Sequence, residues 1–197
     1  IAGALRACVA DSGIAVAANA QTFNTVSFSN NVGATANFVA LGNSYTALLN
    51  GFLLTANVPI GDVAWVYDFD SNPVPAYTAV SIEIGGILGA GGTLDIIGNE
   101  KVFDMSGAPL EVANGLIEAT YTNTGTSAMN FVYTNTFVFS QPVTIGQAQK
   151  DILNILMGGN TFAQIDYIKQ EFTPVPEPAS LAILGMGAAA LLRRRRR

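Results

Sequence analysis

Large apolar residues recur at every second position in the middle of the chain. In residues 63–70, one parity holds Val63, Trp65, Tyr67 and Phe69, and the other holds Ala64, Val66, Asp68 and Asp70. Successive side chains of a β-strand point to opposite faces, so this pattern is typical of a strand with one buried face. A chain built of such segments must pack the apolar faces of its sheets against one another.

Similar segments are spread over residues 21–172. The candidate strands are 22–29, 44–56, 63–70, 80–84, 93–98, 115–122 and 130–139, separated by clusters of Gly, Asn and Pro. Many short strands with turn residues between them indicate an antiparallel β-sandwich of the jelly-roll-like kind. The sequence therefore predicts a mainly β body over residues 21–172, long enough for one domain with a substantial core.

One short helix is predicted inside this body. Thr144–Gln147 fits a capping box, and Gly158 can end the helix that would follow. Apolar residues recur at helical spacing at Ile145, Ala148, Ile152 and Ile155. Residues 161–172 fit either a helix face or a strand.

The tetrapeptide Tyr-Thr-Asn-Thr occurs twice, at 121–124 and 133–136. The segment between the two copies, residues 125–129, begins with glycine and can turn the chain back. Threonine and asparagine pairs stabilise neighbouring antiparallel strands. The sequence therefore predicts a hairpin in which the two copies pair.

Residue types exclude several classes of function. The chain has no histidine, and its one cysteine is Cys8, so it lacks Ser-His-Asp and Cys-His machinery and imidazole metal sites. Its glycines form no phosphate-binding motif. Outside the terminal arginines, four positive charges face 14 acidic residues, a net charge of −10 that disfavours nucleic acid. We expect no catalytic residue, no cofactor and no enzymatic activity.

Acidic residues offer one weak metal candidate. Asp68, Asp70 and Asn72 resemble the first half of a calcium loop, but Pro73 and Ala79 stand where the turn glycine and bidentate glutamate belong. The alternatives are a calcium site completed by a distant acid and a plain exit from strand to turn. A glycosidase pair of Asp68 and Asp70 is a third, less favoured interpretation.

The aromatic stripe of residues 65–69 also has two interpretations. Trp65, Tyr67 and Phe69 could stack on sugar rings, as in carbohydrate-binding sandwiches. Large residues on one strand face more often form the core. We favour the core interpretation.

The end of the chain combines an apolar run with a cluster of arginines. Residues 179–192 carry no charge, and as a helix these 14 residues would rise about 21 Å against a hydrocarbon core of about 30 Å. A core helix is the alternative, but five arginines cannot follow it into an interior. We predict a short membrane anchor whose arginines stay on the cytoplasmic side. The anchor residues are Ala179, Leu181, Ile183, Leu184, Met186, Leu191 and Leu192, followed by Arg193, Arg194, Arg195, Arg196 and Arg197.

Residues 173–178 form a proline-rich linker before this anchor. Its Val175, Pro176, Glu177 and Pro178, followed by the apolar run and the arginines, resemble the PEP-CTERM sorting signal of Gram-negative bacterial surface and matrix proteins. The resemblance implies export, transient retention in the inner membrane, and recognition and cleavage by an exosortase-type enzyme. It also favours a closing strand at 161–172, since residues 165–168 are similar to the closing strand of many proteins with this tail.

The first 20 residues are predicted to be a truncated secretory signal. They are mostly small and apolar, and Ala18-Asn19-Ala20 supplies a cleavage site before Gln21. Together the two ends predict an exported, non-enzymatic protein of the cell surface or biofilm matrix, with exopolysaccharide as the candidate partner. The alternative function is a carbohydrate- or calcium-binding module, and a glycoside hydrolase is less favoured.

Overall fold

The computed structural model describes residues 21–72 and 75–175, and all regular structure in this part is β. Its strands are β1 (Thr22–Asn30), β2 (Thr35–Leu41), β3 (Ser44–Asn50), β4 (Leu53–Thr55), β5 (Ile60–Asp70), β6 (Tyr77–Leu88), β7 (Thr93–Asp104), β8 (Leu110–Thr122), β9 (Met129–Val143), β10 (Ile145–Met157) and β11 (Phe162–Pro174).

The strands form two antiparallel sheets. Sheet A has the order β1-β5-β10-β7-β8, and sheet B has the order β2-β3-β11-β6-β9, with β4 paired to β11. From β5 to β11 the chain crosses between the sheets at every connection except β7–β8. This alternation places most consecutive strands in opposite layers of a two-sheet sandwich. The prediction of a mainly β, antiparallel, two-sheet body is confirmed.

Aromatic rings fill the space between the sheets. Trp65 and Tyr67 are fully buried and Phe69 is 2% exposed. Across the sandwich, the Tyr45 ring lies 5.3 Å from that of Trp65, and the Phe172 ring lies 4.6 Å from that of Phe69, measured between centroids. The core interpretation of the β5 stripe is confirmed, and the sugar-stacking interpretation of these rings is wrong.

The predicted helix at 144–158 is wrong, because β10 occupies this segment. Strand β10 lies in the middle of sheet A and pairs along its length with β5 and β7. Its buried residues, Gly146, Ala148, Lys150, Ile152, Asn154 and Leu156, alternate with more exposed ones. The isoleucines that suggested a helix, Ile145 and Ile155, point to the outer face instead. Pairing on both edges outweighs the weak local preference for a helix.

The predicted hairpin of the two Tyr-Thr-Asn-Thr copies is also wrong. The first copy ends β8 in sheet A, and the second lies in β9 of sheet B. The chain therefore crosses the sandwich between them. Tyr121 still contacts β9, since its hydroxyl donates to the carbonyl of Val132 at 2.7 Å.

The predicted closing strand is confirmed as β11, which runs from Phe162 to Pro174 and lies between β3 and β6. Strand β2 had not been predicted. Residues 1–20 and 176–197 lie outside the described residues, and the predicted signal segment and C-terminal helix fall there. Within residues 21–72 and 75–175, no helix has the length and apolar character needed to cross a membrane.

Candidate functional site

The outer face of sheet B carries a depression of about 510 Å³ between β6, β9 and β11. It is lined by Ser81, Ile82, Glu83, Thr134, Asn135, Thr136, Lys169 and Glu171. Strand register produces this grouping: Lys169, Glu83 and Thr134 lie in one row across the sheet, and Glu171, Ser81 and Thr136 lie in the next. The side chains of these two rows occupy outward-facing positions of three paired strands and make the depression largely polar.

Hydrogen bonds between neighbours order this patch. The Lys169 Nζ lies 3.0 Å from Glu171 Oε2, and Ser81 Oγ lies 2.8 Å from Thr136 Oγ1. The hydrogen bond to Glu171 is the main cause that raises the pKa of Lys169. The Lys169–Glu171 pair is solvated on the sheet surface, so it orients side chains more than it stabilises the fold.

Tyr167 borders the depression. Its hydroxyl donates to Glu83 Oε1 at 2.7 Å, and its ring takes the space above Gly85, where a Cβ would come within 2.4 Å of ring carbons. Burial first, and then the hydrogen bond to Glu83, raises the pKa of Tyr167 to about 12. Glu83 and Tyr167 thus present a fixed carboxylate beside an aromatic ring.

The alternation of residues in the sequence assigns Tyr167 to the wrong face of its strand. Ile165 and Tyr167 are two residues apart and would share a face in a regular strand. A bulge between them moves Tyr167 to the outer face, while Ile165 stays buried. A bulge of this kind re-aims a side chain without a clear local signal, so sequence reasoning missed the ring.

Asp68 and Asp70 lie on the outer face of sheet A, as their parity predicts. Asp68 Oδ1 accepts a hydrogen bond from Gln147 Nε2 at 2.9 Å, and Asp70 Oδ1 accepts one from the Asn72 amide at 2.8 Å. The second bond is a local turn closure. In residues 21–72 and 75–175, no three acidic or cysteine side chains converge as a metal site would need.

Calcium binding at Asp68, Asp70 and Asn72 therefore stays a prediction. Calcium titration checks it through the thermal unfolding midpoint, which a bound ion raises by mass action. A midpoint that does not move at millimolar calcium would remove the hypothesis. The control is Asp68→Asn with Asp70→Asn, which should abolish any rise.

A second polar group lies deep in the core. Lys150 on β10 and Glu100 on β7 are direct neighbours in sheet A, and both side chains are fully buried with Nζ 3.6 Å from Oε2. Gln170 on β11 reaches across from sheet B, and its Nε2 donates to the same Oε2 at 3.0 Å. The Tyr67 hydroxyl donates to Gln170 Oε1. Four polar groups from four strands thus meet between the sheets.

Burial controls the charges in this cluster. It lowers the pKa of Lys150 to about 8, although Glu100 opposes the shift, and it raises the pKa of Glu100, although Lys150 and Gln170 oppose that shift. Both directions favour an uncharged amine and an uncharged acid. The Lys150 Nζ also lies 4.5 Å and 4.4 Å from the ring centroids of Trp65 and Tyr67.

Sequence reasoning missed this cluster. Lys150 fell in the segment predicted to be a helix, and Glu100 lies beyond the predicted strand 93–98. A lone Lys and a lone Glu give no local signal, because their proximity depends on strand register.

Of the predicted sorting residues, the structure describes Val175. Its amide donates to the carbonyl of Ala76 at 2.7 Å, so the end of β11 is held beside the start of β6. Pro176, Glu177, Pro178, the anchor residues and the five arginines lie outside the described residues.

Among solved structures, the chain resembles the enzymatically active domain of tailspike protein 4 of bacteriophage CBA120, with TM-score 0.31 and 10% identity over 79% of this chain and 20% of that one. It spans only about a fifth of that protein. It also resembles a CBM4 structure (TM-score 0.25, 9% identity, 74% of this chain and 79% of that one) and the xylan-binding domain from CBM 22 (0.32, 14%, 79% and 96%). These TM-scores are below 0.5, so the functions of those proteins are not assigned to this chain.

None of the curated proteins is similar in sequence to this chain. The model of the PEP-CTERM protein-sorting motif matches residues 174–197. The match begins at Pro174, the last residue of β11. This motif implies export and membrane-associated sorting by an exosortase in Gram-negative bacteria. The tail of this chain is therefore a PEP-CTERM sorting motif joined directly to the closing strand of a β-sandwich.

Proposed function

We propose that this protein is delivered to the cell surface or the extracellular matrix, where its sandwich acts without catalysis. The sorting motif at 174–197 carries the proposal. The apolar run 179–192 holds the precursor in the inner membrane, and an exosortase-type enzyme separates it from the body near residues 176–178. The body that remains is a two-sheet sandwich that ends at the cleavage region.

The outer faces of the sandwich suit contact with a hydrated polymer. Threonine hydroxyls occupy successive outward-facing positions in one strand of each sheet. These are Thr120 and Thr122 on β8 of sheet A, and Thr134 and Thr136 on β9 of sheet B. Hydroxyl groups both donate and accept hydrogen bonds, as sugar hydroxyls do. The acidic body keeps the protein away from nucleic acid and anionic lipid.

Replacing Pro176, Glu177 and Pro178 with alanine is expected to abolish processing in a Gram-negative host that has an exosortase. The wild-type body should appear outside the cell without its arginine tail, and the variant should stay with the membrane fraction. Fractionation with intact-mass analysis measures both outcomes. Pro142→Ala, at an exposed proline of β9, is the matched control and should behave as wild type.

Two outcomes would contradict the sorting proposal. The first is equal release of the wild-type and triple-alanine chains. The second is an extracellular wild-type protein that still ends at Arg197, since the tail would then not be removed during delivery.

A second candidate function is carbohydrate binding in the depression of sheet B. The arrangement of Tyr167, Glu83 and Lys169 favours it. The Tyr167 ring offers an apolar surface to a sugar ring, while Glu83 and Lys169, which pair in the next outward-facing row of the sheet, can bind hydroxyls. A polysaccharide chain would run across β11, β6 and β9, along the rows of outward-facing side chains described above.

Tyr167→Ala is expected to weaken polysaccharide binding about tenfold, because the stacking surface is lost and Glu83 loses its hydrogen-bond donor. Affinity electrophoresis through gels containing the host's own exopolysaccharide measures the change. Leu116→Ala, at a position 72% exposed on the outer face of sheet A, is the control. If wild-type mobility is unaffected by the polysaccharide, or if Tyr167→Ala binds as wild type does, this site is excluded.

A further inference from the structure

The buried cluster brings an amine and an amide to one carboxylate oxygen. Glu100 Oε2 lies 3.6 Å from Lys150 Nζ and accepts the hydrogen bond from Gln170 Nε2 at 3.0 Å. A distance of 3.6 Å is too long for a hydrogen bond. Lys150 Nζ and Glu100 Oε1 have no hydrogen-bond partner among the described residues. The amine is thus held beside the carboxylate without being fixed by it.

The carbonyl of the same amide is polarised from the other side. The Tyr67 hydroxyl donates to Gln170 Oε1, in a site closed by the rings of Trp65 and Tyr67. A donor aimed at a carbonyl oxygen stabilises the negative charge that develops there when a nucleophile attacks the carbon. Lys150, Glu100, Gln170 and Tyr67 therefore supply a nucleophile, a proton carrier, an acceptor amide and an oxyanion donor.

We propose that Lys150 and Gln170 join in an intramolecular amide bond between the two sheets, with Glu100 transferring protons and Tyr67 stabilising the oxyanion. This cross-link is independent of the proposed delivery and of carbohydrate binding.

The reaction begins when the Lys150 ammonium gives a proton to the Glu100 carboxylate. The neutral Nζ then attacks the Gln170 Cδ, and the carbonyl electron pair moves to Oε1, where the Tyr67 hydroxyl holds it. Glu100 protonates Nε2 and recovers a proton from Nζ as the tetrahedral intermediate collapses. The Cδ–Nε2 bond breaks, one ammonia leaves, and a Nζ–Cδ amide remains, with no oxidant or cofactor needed.

Burial lowers the free-energy cost of this proton exchange. An amine must be uncharged to attack, and burial shifts both Lys150 and Glu100 toward their uncharged forms. The product replaces a buried ionisable pair with a neutral amide. It also ties β11, which leads into the sorting motif, to the centre of sheet A, so the body would stay closed when the chain is held by its C-terminus.

Mass spectrometry of the full chain tests the proposal. The wild-type protein is expected to weigh less than its sequence by one ammonia, and proteolysis should release a branched peptide containing both Lys150 and Gln170. In a chain cleaved before Gln21, the new N-terminal glutamine also loses ammonia when it cyclises, so fragmentation of the branched peptide, rather than intact mass, decides. A wild-type digest with Lys150 and Gln170 in separate linear peptides would overturn the proposal.

Two variants locate the chemistry. Lys150→Met removes the nucleophile and Glu100→Gln removes the proton carrier, and neither should yield the branched peptide. A bond from Lys150 to Glu100, recognised by loss of water rather than ammonia, would also overturn the assignment of Gln170. If either variant fails to fold, the wild-type peptide map still gives the answer.

Discussion

Replacing Trp65 with alanine is expected to lower the free energy of unfolding by about 3–5 kcal/mol. The indole is fully buried and packs against the rings of Phe38, Tyr45 and Tyr67, with centroids 5.5, 5.3 and 4.8 Å away. These neighbours belong to three strands in both sheets. Because each ring is held by its own strand, the three cannot move together to fill the cavity that the alanine leaves. A loss of this size is a large part of the about 5–15 kcal/mol that stabilises a typical domain.

Urea unfolding of the Trp65→Ala variant, followed by circular dichroism, measures the effect. Fluorescence is unsuitable because Trp65 is the only tryptophan of the chain. Val138→Ala is the control, since Val138 is 74% exposed on β9 and its truncation should change the unfolding free energy by less than about 0.5 kcal/mol. A loss below about 1 kcal/mol for Trp65→Ala would mean that the indole is not a central part of the core.

The sequence predicts the core where a strand is regular. In β5, alternation placed Trp65, Tyr67 and Phe69 on the inner face and Asp68 and Asp70 on the outer face, as the structure has them. Period-two patterns need only local geometry, so one sequence is enough to interpret them. The sequence also predicts the sorting tail. The proline motif, the apolar run and the arginines follow one another directly in the chain, so the signal can be identified from their order alone.

Sequence reasoning failed where long-range pairing decides the outcome. The segment of β10 has apolar residues at helical spacing, yet partners on both edges make it a central strand. The two Tyr-Thr-Asn-Thr copies have a suitable turn between them, yet they belong to opposite sheets. Local patterns indicate the structure that a segment favours by itself. Which sheet it joins depends on pairing with strands that are distant in the chain.

The same limit applies to the candidate sites. Tyr167 reaches the depression only because a bulge shifts the register of β11 against β6. The cluster of Lys150, Glu100 and Gln170 joins residues that are up to 70 positions apart. Neither arrangement follows from spacing in the sequence, because each depends on the pairing of strands that are distant in the chain.

Glu100→Leu is expected to destabilise the fold by about 3–5 kcal/mol, because removing one member of a buried pair leaves the other without compensation. Lys150 would keep its amine between Trp65 and Tyr67 with no acid beside it, and Gln170 Nε2 would lose its acceptor. The same variant lacks the carboxylate that the proposed cross-link needs. Its Lys150 is therefore a free, titrating amine. Urea unfolding at neutral pH measures the loss, and a loss below about 1 kcal/mol would contradict it.

The pH dependence of this variant follows from the lowered pKa of the amine. Burial holds the pKa of Lys150 at about 8 even with Glu100 opposing, so without Glu100 it is lower still. An unfolded lysine titrates near about 10.4, so over this interval the unfolded chain binds more protons than the folded one. The contribution of Lys150 to the free energy of unfolding must then rise with pH, by up to about 1.4 kcal/mol per pH unit.

Lys150→Met added to Glu100→Leu isolates the contribution of the amine. Both chains keep the same tyrosines and carboxylates, so the difference between their unfolding free energies from pH 6 to 9 reports Lys150 alone. The double variant should be more stable than the single one at pH 6, and the difference should shrink as pH rises, since the single variant then buries a neutral amine. A difference that does not change with pH would mean that Lys150 reaches water in the folded single variant, and the closed site between the sheets would be wrong.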